Sequence, residues 1–186
     1  MILVRKAILN DSKLIATYLL LAMKGIIYKF IGEENPGKAE EFLLHFVERE
    51  NNQYSYQNCW VAEDDMGVVG AVNLYNGIQL SVLRRPVIEY IRSRFTNDIN
   101  FEDETQAGEY YIDSLGVNPD RQNQGIGAKL LQFLIDEYVN KRSQTLGLLV
   151  EEGNSNARRL YLKLGFKIVG KKILLGKNME HLQIKG

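Results

Sequence analysis

In the run Gln122-Asn123-Gln124-Gly125-Ile126-Gly127-Ala128, a polar turn leads out of an apolar, strand-like segment, Tyr110–Val117, and into an apolar-periodic helix over residues 128–139. A chain that passes from strand to helix in this way presents several unpaired backbone N–H groups at the positive end of a helix dipole. That combination binds phosphate. Gly125 and Gly127 carry no Cβ, so a ligand's phosphates can approach the backbone closely. Two familiar phosphate loops fit poorly. A Walker loop needs Lys-Ser/Thr after its last glycine, and Gly127 is followed by Ala128-Lys129-Leu130. A Rossmann fingerprint needs three spaced glycines near the start of a parallel unit, and here two stand late in the chain.

After a buried-strand run at residues 145–150 comes a second stretch, Asn154-Ser155-Asn156-Ala157-Arg158-Arg159-Leu160-Tyr161-Leu162-Lys163-Leu164-Gly165-Phe166. Gln122-x-x-Gly125-x-Gly127 resembles the acyl-CoA signature of the GNAT superfamily of N-acetyltransferases, Gln/Arg-x-x-Gly-x-Gly/Ala. The second stretch matches that family's Asn-x-x-Ala-x-x-Leu-Tyr-x-x-x-Gly-Phe at every position, in the same order and at a matching separation. The resemblance covers residues 58–170 well and the rest loosely.

The resemblance implies an α/β fold of mixed α+β type: a GNAT-like central sheet, mostly antiparallel, flanked by helices, with its fourth and fifth strands splayed apart. It implies acetyl-CoA as co-substrate, lying in that splay. The backbone of Leu115, Gly116 and Val117 would then meet the pantetheine arm. The N–H groups of Gln122, Asn123, Gln124, Gly125, Ile126, Gly127 and Ala128 would cradle the pyrophosphate. Gln122 stands where the family often has Arg, so it donates hydrogen bonds without charge, and Arg121 is placed to point toward the adenosine phosphates. Asn154 would contact the cofactor near the pantetheine while also suiting a helix cap. Tyr161 would be the general acid that protonates the departing thiolate, and the Leu115 N–H the donor to the developing oxyanion.

The reaction so implied is transfer of acetyl from acetyl-CoA to a primary amine by direct attack on the thioester. A non-catalytic acyl-CoA-binding sensor or interaction module is the alternative. Acceptors compatible with the residues are a protein N-terminus or lysine, a polyamine, an amino acid or an amine antibiotic. The acidic, tyrosine-rich surroundings of residues 102–111 favour a cationic one. A general base is harder to assign. Asp113 lies in the strand at residues 109–117, and alternation puts it on the face of Tyr111 and Leu115 unless a bulge intervenes. Glu104 and Glu109 are rivals, and His181 in the last strand reads as structural.

Bulk properties bound the rest. The chain has 186 residues, 45% hydrophobic and 25% charged, with 23 basic and 23 acidic side chains. This profile suits one globular domain over residues 1–186 and offers no global field for nucleic acid or acidic membranes. The basic pairs Arg84-Arg85, Arg158-Arg159 and Lys171-Lys172 read as solvated faces. No Cys/His or carboxylate cluster has metal-ligand spacing, so no metal is expected. The lone cysteine, Cys59, reads as a buried small hydrophobe. With no targeting pattern at the N-terminus, and an apolar run at residues 14–23 too short for a bilayer, a cytoplasmic enzyme is the expectation. A homodimer is possible, since the family is often dimeric.

The predicted elements are helices at residues 10–29, 39–50, 82–95, 125–140 and 156–164, a hairpin at 59–63 and 68–74, and strands at 109–117, 146–150, 166–169 and 179–184. The polar insertion at residues 96–108 is where substrate specificity is expected to be built.

Overall fold

Seven strands form one sheet. β1 (Leu3–Lys6) pairs with β2 (Cys59–Asp64), which turns back into β3 (Gly67–Asn76). The turn is tight because the Met66 N–H donates to Asp64 Oδ1 at 2.8 Å and Gly67 takes a φ of +119°. β3 pairs with β4 (Tyr110–Val117), and β4 runs parallel to β5 (Leu146–Glu151). The sheet closes with β6 (Lys167–Leu174) and β7 (Lys177–Ile184) in the order β1-β2-β3-β4-β5-β7-β6, every pair but β4–β5 antiparallel. The computed structural model describes residues 1–95 and 99–186, so part of the insertion expected at 96–108 lies outside the described residues.

Helices cover both faces. On one lie α1 (Ser12–Ile31), α2 (Pro36–Val47) and α3 (Leu80–Arg94), which bury Ile15, Leu19, Ile27, Phe42, Leu43 and Ile91 together. α2 starts where the sequence directs it: Asn35 caps the Lys38 N–H and Pro36 fills the first turn. α1 is longer than the apolar run at residues 14–23. The stretch Leu9–Ile31 is apolar enough to cross a membrane by length and composition alone, but half of its most apolar window is buried inside the fold. It packs on β3, β4 and α2, as a core helix does.

On the other face α4 (Ile126–Leu134) buries Leu130, Leu131 and Leu134 against Leu146 and Leu148. The long helix expected to Asn140 does continue, but Ile135–Asn140 winds as a π-helix, with the Lys141 N–H bonded to Asp136 O. The wider winding keeps Ile135, Tyr138 and Val139 all on the sheet, with the Tyr138 ring 4.8 Å from that of Tyr110. α5 (Ser155–Lys163) ends at Gly165, whose φ of +99° is the left-handed stop. Cys59 is fully buried, and burial raises its thiol to about 12, so it is an inert core residue.

One irregularity in β4 sets the geometry of everything that follows. Asn73 faces Ser114 and Leu74 faces Ile112, so Asp113 is the extra residue of a bulge. The bulge switches the parity of the strand. Tyr111 packs with Tyr75 and Leu80 near α3, whereas Leu115 and Val117 pack into the α4 core. Beyond the bulge, Gly116 presses against α1 so closely that a Cβ there would overlap Tyr18 O.

Candidate active site

β4 and β5 pair only at Tyr110/Leu146, Tyr111/Gly147 and Ile112/Leu148. The Asp113 bulge comes next, and from there the two strands separate. A cavity of about 470 Å³ occupies the gap. It cuts through the sheet: Leu131, Leu160 and Tyr161 border it from the α4–α5 side, and Met23, Tyr54 and Phe101 from the α1–α3 side.

The turn before α4 follows directly on β4, whose last residue lies two beyond Leu115, which lines the cavity. Asn118 accepts from the Asp120 N–H at 3.0 Å and starts a short 3₁₀ turn, Pro119–Arg121. Asn123 and Gly125 then take left-handed φ values of 61° and 78°. Among the described residues no side chain caps α4, and the first amide bonded within the helix is that of Lys129, to Gly125 O at 2.9 Å. The amides of Ile126, Gly127 and Ala128 therefore stand at an open helix start. A Cβ placed on Gly125 would meet nothing within 4 Å, so the space above the turn is free. Gly127 instead serves packing, with a Cβ position 3.4 Å from Leu115 Cδ2. Gln122 reaches back weakly to Val117 O at 3.4 Å, and Gln124 receives Arg121 Nε at 3.1 Å. Arg121 does not point at an adenosine site: its guanidinium pairs with Asp64 at the β2–β3 turn, which satisfies its charge there.

The exposed edge of β4 follows from its pairing. The Asn118 N–H donates to Val69 O across β3 at 2.9 Å. Peptide groups alternate along a strand, so Gly116 also turns its amide to β3, and Leu115 and Val117 turn theirs to the gap. Leu115 and Val117 are thus placed as backbone partners, while Gly116 serves the contact with α1. An unpaired strand edge, an uncapped helix start and free space above Gly125 fit a ligand that carries both amides and phosphates, as acetyl-CoA does.

α5 presents Asn154, Ala157 and Tyr161 to the cavity, three residues on one helical face. Asn154 Oδ1 accepts from the Ala157 N–H at 3.2 Å, so it caps the helix and borders the gap at once. The Tyr161 ring packs edge-on to Phe166, with centroids 6.0 Å apart. Burial raises its phenol above the ordinary value, so it stays protonated at neutral pH.

On the far side of the gap lies a polar cluster that sequence reasoning saw only in pieces. Asp113 borders the cavity despite the bulge, because the bulge turns Leu115 away and leaves Asp113 on the side of Tyr111. Gln53 Nε2 donates to Glu104 Oε1 at 2.6 Å and lies 3.5 Å from Asp113 Oδ1. The Tyr75 hydroxyl lies 3.1 Å from Glu104 Oε1 and 3.5 Å from Asp113 Oδ1. Asp113 Oδ2 is buried with no hydrogen-bond partner among the described residues. Its carboxyl is raised to about 7, first by burial and then by the charge of Glu104. The contacts at 3.5 Å sit at the limit of hydrogen bonding and relieve little of that cost.

Arg84 anchors the cluster and corrects one sequence reading. It is buried, not solvated, and pairs with Glu104 and, at 3.1 Å, with Asp103. The signal was present: Leu80, Arg84, Val87 and Ile91 form the buried face of α3 at helical spacing. Arg158 likewise pairs with Glu180, and Lys172 reaches the carbonyls of Asp103 and Glu104. The rival Glu109 is outside the cavity. Burial alone would raise it, but hydrogen bonds from His181 (2.8 Å), Thr105 (2.7 Å) and Gln183 (2.7 Å) hold it below the usual carboxylate range. It lies over Gly147, where a Cβ would overlap it. Glu109 and His181 thus clamp β4 to β5 and β7, the structural role expected of the histidine. Of the insertion, Phe101, Glu102 and Glu104 line the cavity. No group of three or more metal-ligating side chains occurs among the described residues.

Comparisons with known proteins agree with this geometry. The model of the Acetyltransferase (GNAT) family matches residues 27–166. A [ribosomal protein bS18]-alanine N-acetyltransferase of Escherichia coli (strain K12) is 45% identical over 53 residues, 28% of this chain and 36% of that protein. The match thus spans about a third of the length of that curated relative. Among solved structures, an N-acetyltransferase from Staphylococcus aureus Mu50 superposes with a TM-score of 0.85 at 21% identity, covering 98% of this chain and all of that one. An acetyltransferase at 28% identity gives a TM-score of 0.78 and covers 98% of each chain.

Proposed function

The chain belongs to the GNAT acetyltransferase family, and on that premise we propose that it transfers the acetyl group of acetyl-CoA to a primary amine by direct attack on the thioester. The observation that carries the reading is the cavity between β4 and β5. It brings Leu115 and Tyr161, on the α4–α5 side, into one space with Asp113, whose buried Oδ2 lacks a hydrogen-bond partner among the described residues.

Acetyl-CoA supplies the activated acyl group. The amides at the start of α4 would hold its pyrophosphate, and the Leu115 and Val117 edge its pantetheine arm. The Leu115 N–H faces the gap, where it can donate to the carbonyl oxygen as negative charge builds on it. Asp113, with a carboxyl near 7, takes a proton from an incoming ammonium far more readily than a carboxylate at 3.8. Tyr161 holds a phenolic proton for the departing thiolate. Arg84 pairs with Glu104 beside Asp113 and offsets part of the Glu104 charge that helps Asp113 hold its proton.

Two measurements on one protein test this. Thermal melts with acetyl-CoA, CoA and ATP should shift only with the CoA compounds, by about 2.7 kcal/mol of stability at a hundred times the dissociation constant. Gly125→Val fills the space above the turn and should lose that shift relative to its own unliganded melt. Thiol release in the presence of amines should follow binding. A chain that binds acetyl-CoA and releases no thiol with any amine would instead be an acyl-CoA-binding module.

A further inference from the structure

The acceptor end of the cavity is roofed. The tip of the β6–β7 hairpin folds over it: the Leu175 N–H donates to Glu102 Oε2 at 3.0 Å, and Lys29 Nζ to Leu175 O at 2.5 Å. Lys172 Nζ adds bonds to Asp103 O and Glu104 O at 3.3 and 3.4 Å. The roof therefore spans from β6 to α1 and to the segment before β4. Beneath it the walls are apolar, with Met23, Ile26, Phe30, Val87, Phe101 and Leu175 all facing in.

Charge within the chamber is mostly satisfied. Glu104 pairs with Arg84, Glu102 accepts from the hairpin tip, and Glu151 pairs with Lys177 at 2.7 Å. Among the described carboxylates bordering the cavity, Asp113 is the one with an orphaned buried oxygen. The whole cavity is about 470 Å³ and has to take the acyl end of the cofactor as well. The acceptor has only part of that volume.

We infer that the acceptor is a small primary amine on a compact apolar or aromatic body, enclosed under the hairpin, with its single ammonium directed at Asp113. This rests on the acetyltransferase reading and narrows it. A polypeptide N-terminus needs an open groove for the chain behind it, and the hairpin tip narrows that exit. A polyamine carries further ammonium groups, and burying them against apolar walls without partners is costly.

The test compares 2-phenylethylamine, spermidine and a tripeptide beginning with alanine, at saturating acetyl-CoA, by thiol release. We expect kcat/KM for 2-phenylethylamine to exceed the other two by about tenfold or more. A lead for the peptide or for spermidine would overturn the inference and leave the acetyltransferase reading standing. If no amine reacts, a melt of the CoA complex decides. Stabilisation by 2-phenylethylamine alone would keep the assigned ligand class while removing the catalytic reading, and no stabilisation would overturn both. The double variant Glu102→Ala, Lys172→Ala removes two ties of the roof. It should raise peptide turnover relative to 2-phenylethylamine several-fold, with the acetyl-CoA melt shift kept to show that the fold is intact. An unchanged ratio would count against enclosure as the source of selectivity.

Discussion

Replacing Asp113 with asparagine should make the protein more stable and less active, and the two effects should share a pH dependence. In the fold the carboxyl is raised from 3.8 to about 7. At about 1.36 kcal/mol per tenfold change in acidity, that is ~4 kcal/mol of disfavoured ionisation. The sign follows from linkage. The unfolded chain loses this proton near 3.8 and the folded chain keeps it to about 7, so stability falls as pH rises through that interval. Asparagine has the same shape and never ionises, so the cost disappears. Water entering the cavity screens part of the penalty. The stability gap between Asp113→Asn and the unaltered protein should therefore widen by about 2 kcal/mol between pH 5 and pH 8. Urea denaturation at the two pH values measures it. Removing a general base costs roughly 10²–10⁴ in rate, and the acidic limb of kcat near pH 7 should vanish with it. A gap that stays constant with pH would refute the claim that Asp113 ionises at a cost within the fold. Normal turnover across pH would return Asp113 to a structural role.

Two further substitutions separate the neighbouring roles. Glu104→Gln removes the charge that helps raise Asp113 and leaves Arg84 buried beside it, so the acidic limb should move to lower pH. Arg84 keeps Asp103 but loses its buried charged partner, which should cost about 1–3 kcal/mol of stability, read by denaturation. Tyr161→Phe keeps the packing on Phe166 and removes only the phenolic proton. It should lower kcat about 10²-fold and leave the acetyl-CoA melt shift unchanged, whereas an unaltered kcat would make Tyr161 a packing residue.

The contiguous parts of the site were legible in the sequence. Gln122 to Ala128 form a turn whose glycines, caps and helix start lie within seven residues, so local geometry determines how its amides point. Asn154, Ala157 and Tyr161 share a face by helical spacing alone. The β2–β3 hairpin and the burial of Cys59 follow from alternation and turn residues in the same way. Asp113 was named, but by a parity argument that held for Tyr111 and failed for Leu115 because of the bulge. A bulge depends on how two strands register, and neither strand's sequence carries that register by itself.

The acceptor side depended on tertiary structure throughout. Gln53, Tyr75, Arg84, Glu104 and Asp113 lie on separate stretches of the chain and meet only when α3, β3, β4 and the segment before β4 are folded together. Arg84 resembled a surface cation because short-range patterning reports periodicity, not the partner that makes a buried charge tolerable. The raised carboxyl of Asp113 has the same origin: desolvation and the nearness of Glu104 are properties of a shared interior. Local spacing thus determined where the acyl donor's phosphates would bind. Long-range packing decided the raised Asp113 carboxyl and the shape of the cavity on which the proposed proton transfer and acceptor rest, because burial exists only after the chain has closed around it.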